Sequence, residues 1–142
     1  MSNWTHINGL VKVNSCKDTQ ADIDYAVAKA IERLPKVTGS EMDMTVTIVP
    51  VDDVTVTTWD DETDEEVQLK QEFYLVLRGE LRDRVFNETL HELNKFMNRL
   101  AKRIWVREAL IKINTWNKEY IINDSKFYDS LAFYDYDESI KR

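Results

Sequence analysis

One cysteine, two prolines, three glycines and two histidines in 142 residues are the scarcities of this chain. The single cysteine, Cys16, excludes an intramolecular disulfide and any multi-cysteine zinc or iron–sulfur centre. Gly9, Gly39 and Gly79 stand far apart, so neither a P-loop nor a dinucleotide fingerprint can be assembled from them. Both motifs need clustered glycines to bring backbone amides against phosphates. His6 and His91 are the only imidazoles, and no spacing ties them to Cys16 or Ser40 as a nucleophile–base pair. No run approaches the ~20 apolar residues of a membrane helix. The first twenty residues lack the basic start and apolar stretch of a secretory leader, so a cytoplasmic location is expected. With no catalytic set, no metal site and no cofactor motif in view, a non-enzymatic role is the expectation.

What is present describes an ordinary globular chain, 43% hydrophobic and 32% charged. Residues 4–14 (WTHINGLVKVN) alternate, with Ile7, Val11 and Val13 on one face and Trp4, His6, Asn8, Leu10 and Lys12 on the other. TQAD at 19–22 is a helix start, and Ile23, Val27, Ala30, Ile31 and Leu34 recur at helical spacing until Pro35 stops them, predicting a helix over 20–34. Residues 43–58 are rich in Val, Thr and Ile, and read either as one bulged strand or as two strands joined by a turn at 50–53. A clear strand follows over 68–81, with Phe73, Leu75, Leu77, Gly79 and Leu81 facing one way. Phe86, Leu90, Leu93, Met97, Leu100, Ala101 and Ile104 step by three and four, predicting a helix over 86–103. REALIKIN at 107–114 alternates again, and a turn at 116–119 folds 120–123 back as a further short strand.

This order predicts an α+β fold, a ferredoxin-like β-α-β-β-α-β sandwich with two helices on one face of an antiparallel sheet. Residues 1–123 form the domain, extended by the extra hairpin and a tail at 124–142. The tail holds Phe127, Tyr128, Phe133, Tyr134 and Tyr136, too many aromatics for a purely solvating segment. It packs either on the sheet face the helices leave open or on a partner. That open face carries His6, Asn8, Thr45, Thr47, Tyr74, Arg78, Glu108 and Leu110.

The net charge of −7 is a local matter. Residues 52–66 (DDVTVTTWDDETDEE) hold eight acids and no base, leaving 18 acids and 19 bases elsewhere. The bland reading of DDETDEE at 60–66 is a solvated loop between two strands, kept apart by its own repulsion. The functional reading makes Trp59, Asp60, Asp61, Glu62, Asp64, Glu65 and Glu66 a partner-binding surface presented to a basic protein. Calcium is a poor fit, because the run lacks the glycine turn and alternating acids of an EF-hand loop. Helix 86–103 exposes Lys95, Arg99, Lys102 and Arg103, as any amphipathic helix would expose its polar side. Nucleic acid is not an expected partner: EFYLVLRG lacks the Gly/Phe pattern of RNA-recognition strands, and overall acidity opposes phosphate binding.

A second candidate site is a small-molecule one, in which Arg78, Arg82 or Arg107 converges with Tyr74, and with His6 on the same face, to enclose a nucleotide between subunits. A third reading, acid–base chemistry at His6, is the weakest. Trp4, Trp59, Trp105 and Trp116 are a heavy tryptophan load, expected at core edges, with Trp59 and Trp116 the more exposed. Cys16 reads as a small filler. An open sheet edge or face also leaves self-association open.

Two segments, SNWTHING at 2–9 and LRGELRDR at 77–84, resemble small, mostly uncharacterised accessory proteins of tailed bacteriophages. The resemblance implies a host-takeover role, such as blocking a defence component by binding a CRISPR-type nuclease or by sequestering a signal nucleotide. It carries no functional residue over to this chain.

Overall fold

The computed structural model describes residues 3–51, 56–60 and 62–123. The aromatic tail at 124–142 lies outside the described residues, as do Asp52, Asp53 and Asp61. Nine elements follow one another: β1 (Trp4–Asn14), α1 (Gln20–Ile31), β2 (Thr45–Pro50), β3 (Val56–Asp60), β4 (Glu65–Leu69), β5 (Glu72–Arg82), α2 (Phe86–Arg103), β6 (Trp105–Asn114) and β7 (Glu119–Asn123). Five strands form one antiparallel sheet in the order β2-β5-β1-β6-β7, while β3 and β4 pair only with each other. This is the ferredoxin-like α+β sandwich that the element order predicts, with β7 added beyond β6.

Alternation explains how the sheet meets the helices. Ile7, Val11, Val13, Leu75, Leu77, Ile111 and Ile113 share one face and are essentially inaccessible to water. Against them pack Ile23, Val27 and Ala30 of α1 and Leu93, Phe96, Met97, Leu100 and Ala101 of α2. Phe96 belongs to this core although it stands outside the three-and-four series read from the sequence. Gly9 occupies a core-facing position opposite Ile111, and a Cβ there would lie 2.8 Å from the Ile111 Cγ1. The missing side chain lets that isoleucine fill the space over β1.

α1 begins where expected, with the Thr19 hydroxyl accepting the Asp22 amide at 3.1 Å. It stops at Ile31, three residues short of the predicted end. Pro35 biases Leu34 away from helical geometry, and the chain turns at Arg33, whose φ is 58°. Arg103, at the end of α2, donates to the carbonyls of Ala30 and Glu32 and so closes the free end of α1. It is a cap across the two helices while remaining on the exposed side of α2.

The middle of the chain departs most from expectation. Segment 43–58 supplies two strands, but β2 joins the main sheet and β3 leaves it. The predicted strand over 68–81 is likewise divided at 70–71 into β4 and β5. The described part of the acidic run is thus a β-hairpin arm: exposed residues 62–64 form the expected turn between two strands, while Asp60, Glu65 and Glu66 are drawn into the strands themselves. Two further corrections concern single residues. Cys16 is exposed, its thiol 3.2 Å from the Asn14 side-chain oxygen, so it fills nothing. Trp4 and Trp105 are substantially exposed, on the strand face away from the core, as are Trp59 and Trp116 elsewhere.

Candidate functional site

Strand register lays out the open face residue by residue. One row across β2, β5, β1, β6 and β7 reads Thr47, Val76, Leu10, Leu110 and Asn123. The next reads Thr45, Arg78, Asn8, Lys112 and Ile121. On the other side of the apolar row stand Val49, Tyr74, Lys12 and Glu108. Leu10 is 45% exposed, and Leu110 and Ile121 are each 52% exposed. A shallow cavity of about 590 Å³ lies over them, lined by Leu10, Val76, Leu110 and Ile121, with Arg78 and Lys112 at its edge.

The cations around this strip are already matched. Lys12 lies 3.4 Å from Glu72, Arg78 lies 3.8 Å from Glu80, and Lys112 lies 3.5 Å from Glu119. The two exposed pairs, Arg78–Glu80 and Lys112–Glu119, contribute at most about 1 kcal/mol each. Their arrangement leaves the centre of the face apolar and its margins self-neutralised. Contiguous apolar surface with a polar rim is the character of an interaction surface.

At the Trp4 end the face changes character. The Trp4 and His6 rings are nearly parallel, 8° apart in plane with centroids 6.4 Å apart. Glu80 and Asn114 flank His6 across the two neighbouring strands. Trp116, in the turn between β6 and β7, is 87% exposed. These residues line a cavity of about 770 Å³. A second recess, of about 230 Å³, shares Asn3, Trp4, Thr115 and Trp116 with it and adds Arg84 and Asn87 around the start of α2 and Lys118 from the β6–β7 turn. The two recesses form one corner of the molecule. Val85, the N-cap of α2, offers no side-chain cap to that helix.

The residues singled out from the sequence fall into three places. His6, Tyr74, Arg78 and Arg82 all project from the open face, yet Tyr74 and Arg82 stand eight residues apart on β5, roughly 27 Å. Arg107 sits at a register shift in β6, its guanidinium 4.5 Å from the Trp105 ring, at the end of the sheet opposite Arg82. Arg82 pairs with Glu41 and lies 6.0 Å from the Trp4 ring. The cation over Tyr74 is Lys12, at 6.0 Å. Within one chain, then, Arg82 and Arg107 do not meet at Tyr74.

Trp59, Asp60, Asp64, Glu65, Glu66 and Glu62 belong to the hairpin arm, with Asp61 outside the described residues. Trp59 pairs with Glu66 in register, and Asp60 with Glu65. Asp64 has a φ of 58°, a left-handed conformation that aspartate tolerates well at a turn. The arm is rooted by Leu69, which is buried in the core, and by Gln20, whose side chain bonds both the amide and the carbonyl of Lys70.

Sequence reasoning missed the apolar row and the Trp4–Trp116 corner. A signal for the first exists: Leu10 and Leu110 occupy the solvent parity of strands whose other face is fully apolar. The corner joins residues more than a hundred positions apart, which only the β1–β6 pairing brings together.

Among the described residues, no group of three or more His, Cys, Asp or Glu side chains is placed to hold a metal ion. No helix among them is long and apolar enough to cross a membrane. No family model matches the chain, and no curated protein matches it. One solved structure is similar, a phage SAM lyase in complex with S-methyl-5′-thioadenosine. It shares 11% identity over 87% of this chain and 92% of that one, with a TM-score of 0.37. An overlap that low carries no argument about ligand or reaction for this chain.

Proposed function

We propose that this is a non-catalytic binding protein whose open sheet face captures a partner protein in a stoichiometric complex. The observation that supports it is the apolar row of half-buried Val76 with exposed Leu10 and Leu110, extended by Ile121, at the centre of a sheet whose marginal cations Lys12, Arg78 and Lys112 are each paired with a carboxylate. Burying that strip against a complementary surface is favourable by about 25 cal/mol per Å² of apolar area removed from water. The acidic hairpin with Trp59 acts beside it as a steering arm, drawing a basic partner toward the face. The resemblance of SNWTHING and LRGELRDR to bacteriophage accessory proteins supports the finer reading. In it the chain is a phage-encoded inhibitor acting in the host cytoplasm on a defence component, a nuclease or a sensor.

The test is paired capture from a bacterial lysate with quantitative mass spectrometry. Wild type should enrich a host protein that the doubly substituted Leu10→Asp, Leu110→Asp chain, shown folded by circular dichroism, does not retain. Neutralising Asp60, Asp61, Asp64 and Glu65 to their amides should slow association and flatten its salt dependence. Equal retention by the face variant would overturn the assignment of the surface. A second reading, sequestration of a nucleotide, is supported by the parallel Trp4 and His6 rings at the mouth of the larger recess.

A further inference from the structure

The corner where β1 starts, α2 starts and the β6–β7 turn passes between them has two chemically distinct halves. One half is aromatic: Trp4 and His6 present nearly parallel rings from β1, and Trp116 stands almost fully exposed beside them. Asn114, next to His6 in register, contributes an amide that can both donate and accept. The other half is cationic. Arg84 and Lys118 line the smaller recess, and neither forms an ion pair among the described residues. That sets them apart from Lys12, Arg78, Arg82 and Lys112, each of which has a carboxylate partner.

Arg84 is fixed at its guanidinium, which also donates to the Asp83 carbonyl at 3.1 Å, and Lys118 is fixed at its backbone before any ligand arrives. Arg84 donates from Nε to the Thr38 hydroxyl at 3.3 Å, and its own carbonyl accepts from Thr5 Oγ1 at 2.9 Å. Lys118 sits in a turn closed by the Thr115 amide on the Lys118 carbonyl at 2.9 Å and by the Lys118 amide on Thr115 Oγ1 at 3.2 Å. Its ammonium lies 5.4 Å from the Phe86 ring, over the same recess. Prior ordering of this kind lowers the entropy lost on binding.

We infer that this corner binds a mononucleotide, its base stacked on the Trp4, His6 and Trp116 rings and its phosphate held by Arg84 and Lys118. An aromatic surface that continues into two cations without a direct ion pair among the described residues matches a ligand that is flat and apolar at one end and anionic at the other. Stacking tolerates any base, because each has a π-face, and favours purines for their larger ring. The phosphate selects for charge by charge-assisted hydrogen bonds. The inference rests on the sequestration reading and is independent of partner capture by the apolar row.

Isothermal titration and thermal shift with AMP, GMP, CMP and UMP, with adenosine and inorganic phosphate alongside, test it on the full chain. The purine monophosphates should saturate at millimolar concentration or below, more tightly than adenosine and far more tightly than phosphate alone. Two exposed positions carry the site assignment without endangering the fold. Trp116→Ala should weaken AMP by about tenfold, the scale of one lost stacking partner. Lys118→Gln should weaken AMP several-fold and leave adenosine unchanged. If none of the monophosphates binds, the inference and the sequestration reading both fall. If AMP binds equally well to both variants, the reading stands and this corner is not its site. Tighter binding of a short single-stranded oligonucleotide than of any monophosphate would overturn the mononucleotide assignment.

Discussion

Adjacent residues of β1 and β6 live in different worlds. Val11 and Ile111 are fully buried beneath the helices, while their chain neighbours Leu10 and Leu110 are 45% and 52% exposed on the opposite face. The residue types are nearly the same, and only the parity differs. On the covered face, apolar side chains are matched by α1 and α2 and hold the fold together. On the open face the same chemistry is unmatched within the described residues. Apolar surface left unburied contributes little to stability and is available for association.

The sharpest way to break this comparison is to truncate one residue on each side. Leu75→Ala removes a fully buried side chain and should cost about 2–5 kcal/mol, read as a lowered denaturation midpoint in urea. Gly9→Ala comes next. Its added methyl must displace Ile111 on the covered face, so a loss of about 1–3 kcal/mol is expected although the change is a single carbon. Leu110→Ala should be the mildest, within about 0.5 kcal/mol of wild type, while reducing binding of a hydrophobic dye to the native protein. A large loss of stability at Leu110 would mean that its face is covered in the native chain, and the contrast between the faces would dissolve.

Much of this contrast is legible in the amino-acid order alone. Strict period-two alternation in WTHINGLVKVN and EFYLVLRGEL assigns both faces of β1 and β5 correctly, because a strand that buries one side leaves no freedom of register. α2 is equally clear, since its apolar spacing runs unbroken from Phe86 to Ile104. The hairpin arm is hidden for a physical reason. β3 and β4 are only five residues each, and VTTWD and EEVQL are rich in Thr and acids, so they carry no clear apolar alternation to read. What stands out there is charge, and charge alone does not distinguish a loop from a solvated hairpin. The end of α1 escapes because Leu34 continues the apolar spacing while Pro35 acts on the backbone before it. The Trp4–Trp116 corner is beyond reach for a different reason. Its members are set together by strand pairing and by the β6–β7 turn, and neither is encoded in local periodicity.

The root of the hairpin arm has a bearing on how this fold could have been put together. Val51, just past β2, donates to the carbonyl of Glu72, the first residue of β5, at 3.0 Å. The two ends of the intervening segment are thus hydrogen-bonded neighbours, and β2 and β5 already pair across the gap from Pro50 and Phe73 onward. The segment behaves as a cassette: a sheet with an ordinary short connection at this point would accept it or lose it without changing its strand order. Leu69 and the clasp of Gln20 on Lys70 fasten the hairpin arm to the core and to α1. Most of the chain's excess negative charge therefore lies, in sequence, between two hydrogen-bonded points of a frame that is itself near neutral.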